Sequence, residues 1–110
     1  MDIRVVQPGS SLVLSGRLGA ATVADVRAAL SAACDAGSED LYVDLRGVDL
    51  VDATGLGVLI GTHRRADRAG RRLVLTGVPE RIERLLLANR LHRVLNVDRT
   101  VIELDQPVSA

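Results

Sequence analysis

The residues with chemistry to offer are gathered in one stretch, Asp49–Leu50–Val51–Asp52–Ala53–Thr54–Gly55–Leu56–Gly57–Val58–Leu59–Ile60. Two carboxylates, a small residue and a hydroxyl precede apolar residues at helical spacing. This is the pattern of a loop running into a helix N-terminus. The first amides of a helix lack an intrahelical acceptor, and an oxygen of Asp52 or Thr54 can supply one. Gly55 and Gly57 strip side chains from the first turn, and bare amides there attract anions or the polar atoms of a partner. Leu56, Leu59 and Ile60 point one face into a core. A capped helix and nothing more is the plainer reading. Against it stand three glycines, Gly55, Gly57 and Gly61, each costing about 1 kcal/mol relative to alanine in a helix interior. Gly57 and Gly61, four apart, suit a close contact with the sheet or with another protein.

Other chemistry finds less footing. Neither His63 nor His92 lies in a motif that would orient a base, and no nucleophilic triad can be assembled. His63 reads as a partly buried packing residue and His92 as surface. Two separated histidines and one cysteine, Cys34, make no recognisable metal set. Asp49 and Asp52 could approach a cation, but nothing completes an oxygen shell. Gly55-x-Gly57-x-x-x-Gly61 misses the dinucleotide fingerprint at its third glycine, and no Gly-Lys-Ser/Thr is present for a P-loop. The expectation is a protein that is not an enzyme and takes no metal or cofactor. Arg64, Arg65, Arg68, Arg71 and Arg72 gather where the helix should end and complement its negative pole. They read as a solvated helix end, with a docking patch for an acidic protein as the sharper alternative.

Bulk properties narrow the class. The chain has 110 residues, is 47% hydrophobic and carries 14 basic and 14 acidic groups, for a formal net charge of zero. That length suits one domain, residues 1–110, with a loose tail from about 105. Charge balance removes any general attraction to polyanions, and Tyr42 as sole aromatic argues against base stacking, so no nucleic-acid partner is expected. Every basic residue is arginine, a bias expected of a GC-rich bacterium. A single cysteine excludes an internal disulfide, and Cys34 among alanines reads as a small core residue. The N-terminus lacks the apolar core of a signal peptide, and no apolar run approaches the roughly 18 residues of a membrane span. A cytoplasmic protein with no membrane insertion follows.

Elements to position the stretch can be read in order. Ile3–Val6 and Ser11–Leu18 flank Gln7–Pro8–Gly9–Ser10, a hairpin signal, with Val5, Leu12 and Leu14 inward. A first helix starts at Thr22, where Thr22-x-x-Asp25 resembles a capping box. It buries Val23, Val26, Leu30, Ala33 and Cys34 and stops at Gly37. Leu41–Leu45 reads as a strand covered on both faces. The second helix runs to Gly70, Arg72–Thr76 is a strand, and Pro79 opens a third helix that buries Ile82, Leu85 and Leu86 and ends near Asn89. Val94–Val97 fits a short strand, while Thr100–Leu104 fits either a helical turn or a strand. This order predicts an α/β fold: one mixed sheet of four or five strands, an N-terminal hairpin, and helices mainly on one face.

Asp44–Leu45–Arg46–Gly47–Val48–Asp49–Leu50–Val51–Asp52–Ala53–Thr54–Gly55–Leu56–Gly57–Val58–Leu59 resembles the signature of STAS domains, the anti-sigma factor antagonists. That signature runs Asp-Leu-x-x-Val-x-x-hydrophobic-Asp-Ser-Ser/Thr-Gly-Leu. The order of elements is similar over nearly the whole chain, with Gly16-x-Leu18 and Leu75–Thr76–Gly77 where the family has them. The resemblance implies partner switching. An anti-sigma factor that is also a serine kinase phosphorylates the Ser after the Asp, and the unphosphorylated antagonist binds it and frees a sigma factor. It implies a partner face of Asp49, Asp52, Ala53, Thr54, Gly55, Leu56, Gly57, Val58 and Thr62. Two departures matter. Ala53 matches the phosphorylated Ser and has no hydroxyl, leaving Thr54 as the nearby acceptor. Gly16–Arg17–Leu18–Gly19 stands where the family often has Gly-Glu-Leu-Asp and lacks both acids. A phosphate adds about −1.5 to −2 charges, so without it the charge of this face stays fixed. A constitutive antagonist or a binding module switched by other means is expected, or else a STAS subunit of a larger complex such as a lipid transporter or sensory assembly.

Overall fold

A computed structural model of the chain describes residues 1–98. The elements are β1 (Asp2–Gln7), β2 (Ser11–Leu18), α1 (Val23–Ala36), β3 (Leu41–Val51), α2 (Ala53–Arg68), β4 (Leu73–Thr76), α3 (Glu80–Ala88), a 3₁₀ turn (Leu91–Arg93) and β5 (Asn96–Asp98). One five-stranded sheet has the order β1-β2-β3-β4-β5. β1 is antiparallel to β2, and every later pair is parallel. Each parallel step goes the same way across the sheet. Right-handed crossovers therefore put all three helices on one face. Leu12, Leu14, Leu41, Val43, Leu45, Leu73 and Leu75 from the strands form one core with Val26, Leu30, Leu59, Ile82 and Leu86 from the helices.

The mixed sheet, the hairpin and the one-sided helices are as the sequence indicated, with several local corrections. Val5 is 53% exposed, because β1 is the sheet edge and the helical layer does not reach over it. Thr22 flanks α1 but caps nothing with its side chain; its hydroxyl donates to Arg17 O at 2.7 Å instead. β3 runs to Val51, so Asp49–Val51 is strand and not loop, and it is covered on one face only. Leu41, Val43, Leu45, Val48 and Val51 are buried, while Tyr42 is 42% exposed on the other side. β4 starts at Leu73, and the last strand is Asn96–Asp98, after a 3₁₀ turn the sequence did not indicate. Thr100–Leu104 and the tail from 105 lie outside the described residues.

Arg71 is the largest correction. It does not join the solvated arginines at the end of α2; it is 3% exposed. Its guanidinium donates to Ala33 O at 2.9 Å and Cys34 O at 2.8 Å, the last carbonyls of α1, and also to Glu39 O and Gly9 O. α1 has no basic residue in its own last turn, so Arg71 supplies both the donors and the charge its C-terminal pole favours. One side chain thus joins the hairpin turn, the end of α1 and the approach to β3. Gly9 admits this closure: its φ is +75°, and a Cβ there would come within 2.8 Å of Ala36 backbone. Arg65, by contrast, pairs with Asp35 at 2.7 Å across exposed surface, which contributes little to stability.

Candidate functional site

The first turn of α2 is built at the carboxyl ends of β2 and β3. Those two strands stop side by side, Leu18 in register with Val51. Asp52 N–H donates to Leu18 O at 3.2 Å and ends the strand pairing. Its carboxylate then serves two loops. One oxygen accepts from Gly55 N at 2.9 Å, capping α2, and the other from Ala20 N at 3.1 Å, holding the turn before α1. The Gly55 amide, and then that of Ala20, hold the Asp52 carboxyl below its ordinary value of 3.8.

A carboxyl lowered in the folded state adds stability above pH 3.8 that is lost as pH falls through its lower folded value. Urea midpoints measured from pH 7 down to pH 3 should therefore fall less steeply in Asp52→Asn than in the wild type. Asp52→Asn should also be the less stable protein at pH 7.

Close packing at this corner explains two glycines. A Cβ on Gly55 would sit 2.9 Å from Leu18 C and 3.0 Å from Leu18 Cγ, and one on Gly19 would sit 2.8 Å from Asp52 Cγ. Gly57 and Gly61 are different: a Cβ on either would meet nothing within 4 Å. The sheet does not account for them, and both are exposed on α2.

Burial divides the expected partner face. Asp49, Asp52, Ala53, Thr54 and Gly57 are exposed, and Leu56 is half-buried against the core. Gly55, Val58 and Thr62 lie beneath the surface, so none of them offers an exposed side chain to a partner. The reason is helical phase: α2 turns the positions of Gly55, Val58, Leu59, Thr62 and Ala66 inward, a stripe shifted from the Leu56–Leu59–Ile60 face expected. Thr62 satisfies its hydroxyl internally, donating to Val58 O at 2.8 Å. Sequence reasoning overlooked Ala20 and Ala21, which stand exposed beside Asp52 on the β2–α1 turn. Only the glycine at position 19 hinted at their approach.

What this corner offers is a capped helix start with small exposed side chains, on a helix that carries two glycines that no internal contact requires. The model of the family described as "Mlab, STAS domain" matches residues 3–103. The chain belongs to the STAS-domain family. An anti-sigma-B factor antagonist of Staphylococcus aureus is 32% identical over 85 residues, 77% of this chain and 79% of that protein, and its Staphylococcus epidermidis counterpart matches to the same extent. The solved structure of the phosphorylated form of the Bacillus cell fate determinant SpoIIAA superposes with a TM-score of 0.67 at 18% identity, covering 96% of each chain. A sulfate transporter family protein from Wolinella succinogenes gives a TM-score of 0.68 at 21% identity, over 97% of this chain and 93% of that one. These likenesses in structure support the fold. No helix among the described residues is long and apolar enough to cross a membrane.

Proposed function

We propose that this STAS domain is an anti-sigma factor antagonist that works by binding in the cytoplasm and performs no catalysis. The observation that carries the reading is the pair of exposed glycines on α2, Gly57 about one turn and Gly61 about two turns beyond Ala53, in a chain 32% identical to anti-sigma-B factor antagonists. Each glycine costs helix stability that the fold itself does not need. A partner approaching α2 closely would offset that cost. The partner is an anti-sigma factor of the serine-kinase type, met through Asp49, Asp52, Ala53, Thr54, Leu56 and Gly57. Ala53 removes the usual phosphate acceptor, so the bound state persists until another partner competes.

Affinity capture with the anti-sigma factors of its own organism tests the antagonist role, and failure of every one to bind would overturn it. The switch has its own test. Incubated with the partner kinase and ATP, the wild type and Thr54→Ala should stay unmodified, and Ala53→Ser should gain one phosphate by mass spectrometry. Phosphate on Thr54 of the wild type would contradict a constitutive antagonist.

The second reading is a STAS subunit of a larger assembly, a transporter or sensory complex, favoured by Ala53, which leaves the domain without the family's usual phosphate acceptor. Co-purification with membrane components in place of an anti-sigma factor would decide for it.

A further inference from the structure

β3 outruns its neighbour. Its pairing with β4 ends at Asp44 and Thr76, so the segment from Leu45 to Val51 has no β4 partner. Beside this overhang lies α3, and between them is a groove of about 410 Å³, lined by Leu50, Val51, Arg81, Ile82, Arg84 and Leu85. Leu50 is 46% exposed there. The lining holds two guanidinium groups and no carboxylate. Arg84 reaches Glu80 at 2.5 Å, with both side chains three-quarters exposed or more, while Arg81 makes no ion pair among the described residues. Arg17, exposed on β2, stands in register with Leu50 but lies outside the groove's lining.

We propose that this groove binds an acidic, amphipathic segment of a protein partner. An apolar side chain would seat between Leu50 and Leu85, and flanking carboxylates would reach Arg81 and Arg84. Charge complementarity selects the acidic segment, because guanidinium groups pair carboxylates through forked donors and cover apolar surface with their stems. The groove has two walls, one strand and one helix, so it leaves a small molecule mostly in water. A side chain presented by a folded partner suits it better. Val51 adjoins Asp52, which makes the groove continuous with the first turn of α2. The proposal rests on the reading of that turn as the partner face and extends it across β3 onto α3.

The test uses the full chain, ¹⁵N-labelled, titrated with a synthetic peptide of leucines flanked by glutamates. The same peptide with lysine for glutamate and, separately, decanoate serve as controls. The acidic peptide should shift the amide signals of Leu50, Val51 and Leu85. Arg81→Glu combined with Arg84→Glu should weaken it about tenfold or more with unchanged thermal unfolding. Equal binding of the lysine peptide, shifts elsewhere only, or a response to decanoate alone would overturn the proposal. Binding to the anti-sigma factor separates the two claims. If Gly57→Leu loses it and the arginine pair does not, the groove falls and the α2 reading stands. If Gly57→Leu keeps full affinity, the α2 reading falls and the peptide titration decides the groove.

Discussion

Arg71→Ala is expected to lower folding stability by about 3–5 kcal/mol, read as a lower urea midpoint at unchanged slope. Arg71 has no carboxylate to neutralise it among its hydrogen-bond partners. Four backbone carbonyls, of Gly9, Ala33, Cys34 and Glu39, take its donors. Alanine would leave those acceptors short of partners around a hole the size of a guanidinium, and would remove a positive charge from the negative pole of α1. A domain of this size is stable by roughly 5–15 kcal/mol, so the loss would be a large part of the total. Arg71→Lys should recover only a minor share, since one ammonium cannot reach carbonyls on three separate segments in the fixed fork that Arg provides. A midpoint for Arg71→Ala indistinguishable from the wild type would refute this account of the fold's closure.

The second large effect is a difference in sign among three identical substitutions in one helix. Gly55→Ala should destabilise by about 3 kcal/mol, because its Cβ has no room against the Leu18 backbone 2.9 Å away. Gly57→Ala and Gly61→Ala should each stabilise by about 1 kcal/mol, because their Cβ atoms meet open space and the helix gains alanine's propensity. Thermal unfolding of the three variants checks the ordering. Destabilisation by Gly57→Ala would mean that its bareness serves the fold and not a partner.

How far the sequence could be read is shown by the same residues. Strand and helix order was legible because apolar periodicity and the Pro and Gly stops agreed along the chain. A side-chain cap from Asp52 or Thr54 was legible too, and the fold gives it to Asp52, whose carboxylate accepts from Gly55 N. Arg71 was not, because an arginine beside four others looks solvated, and only the tertiary fold brings the end of α1 to it. The buried positions of Val58 and Thr62 were missed because a glycine-rich first turn blurs the apolar stripe that fixes helical phase. The overhang of β3 was missed too: Arg46, Gly47 and Asp49 interrupt the apolar run, while the strand needs apolar residues on one face only.

In the proposed function, the first turn of α2 meets a partner by close approach. Calorimetric titration of the anti-sigma factor into wild type and Gly57→Leu tests it most directly, with thermal unfolding of both run alongside. Gly57→Leu should unfold no lower than the wild type yet bind about tenfold weaker or worse. Full affinity in a stably folded Gly57→Leu would contradict it.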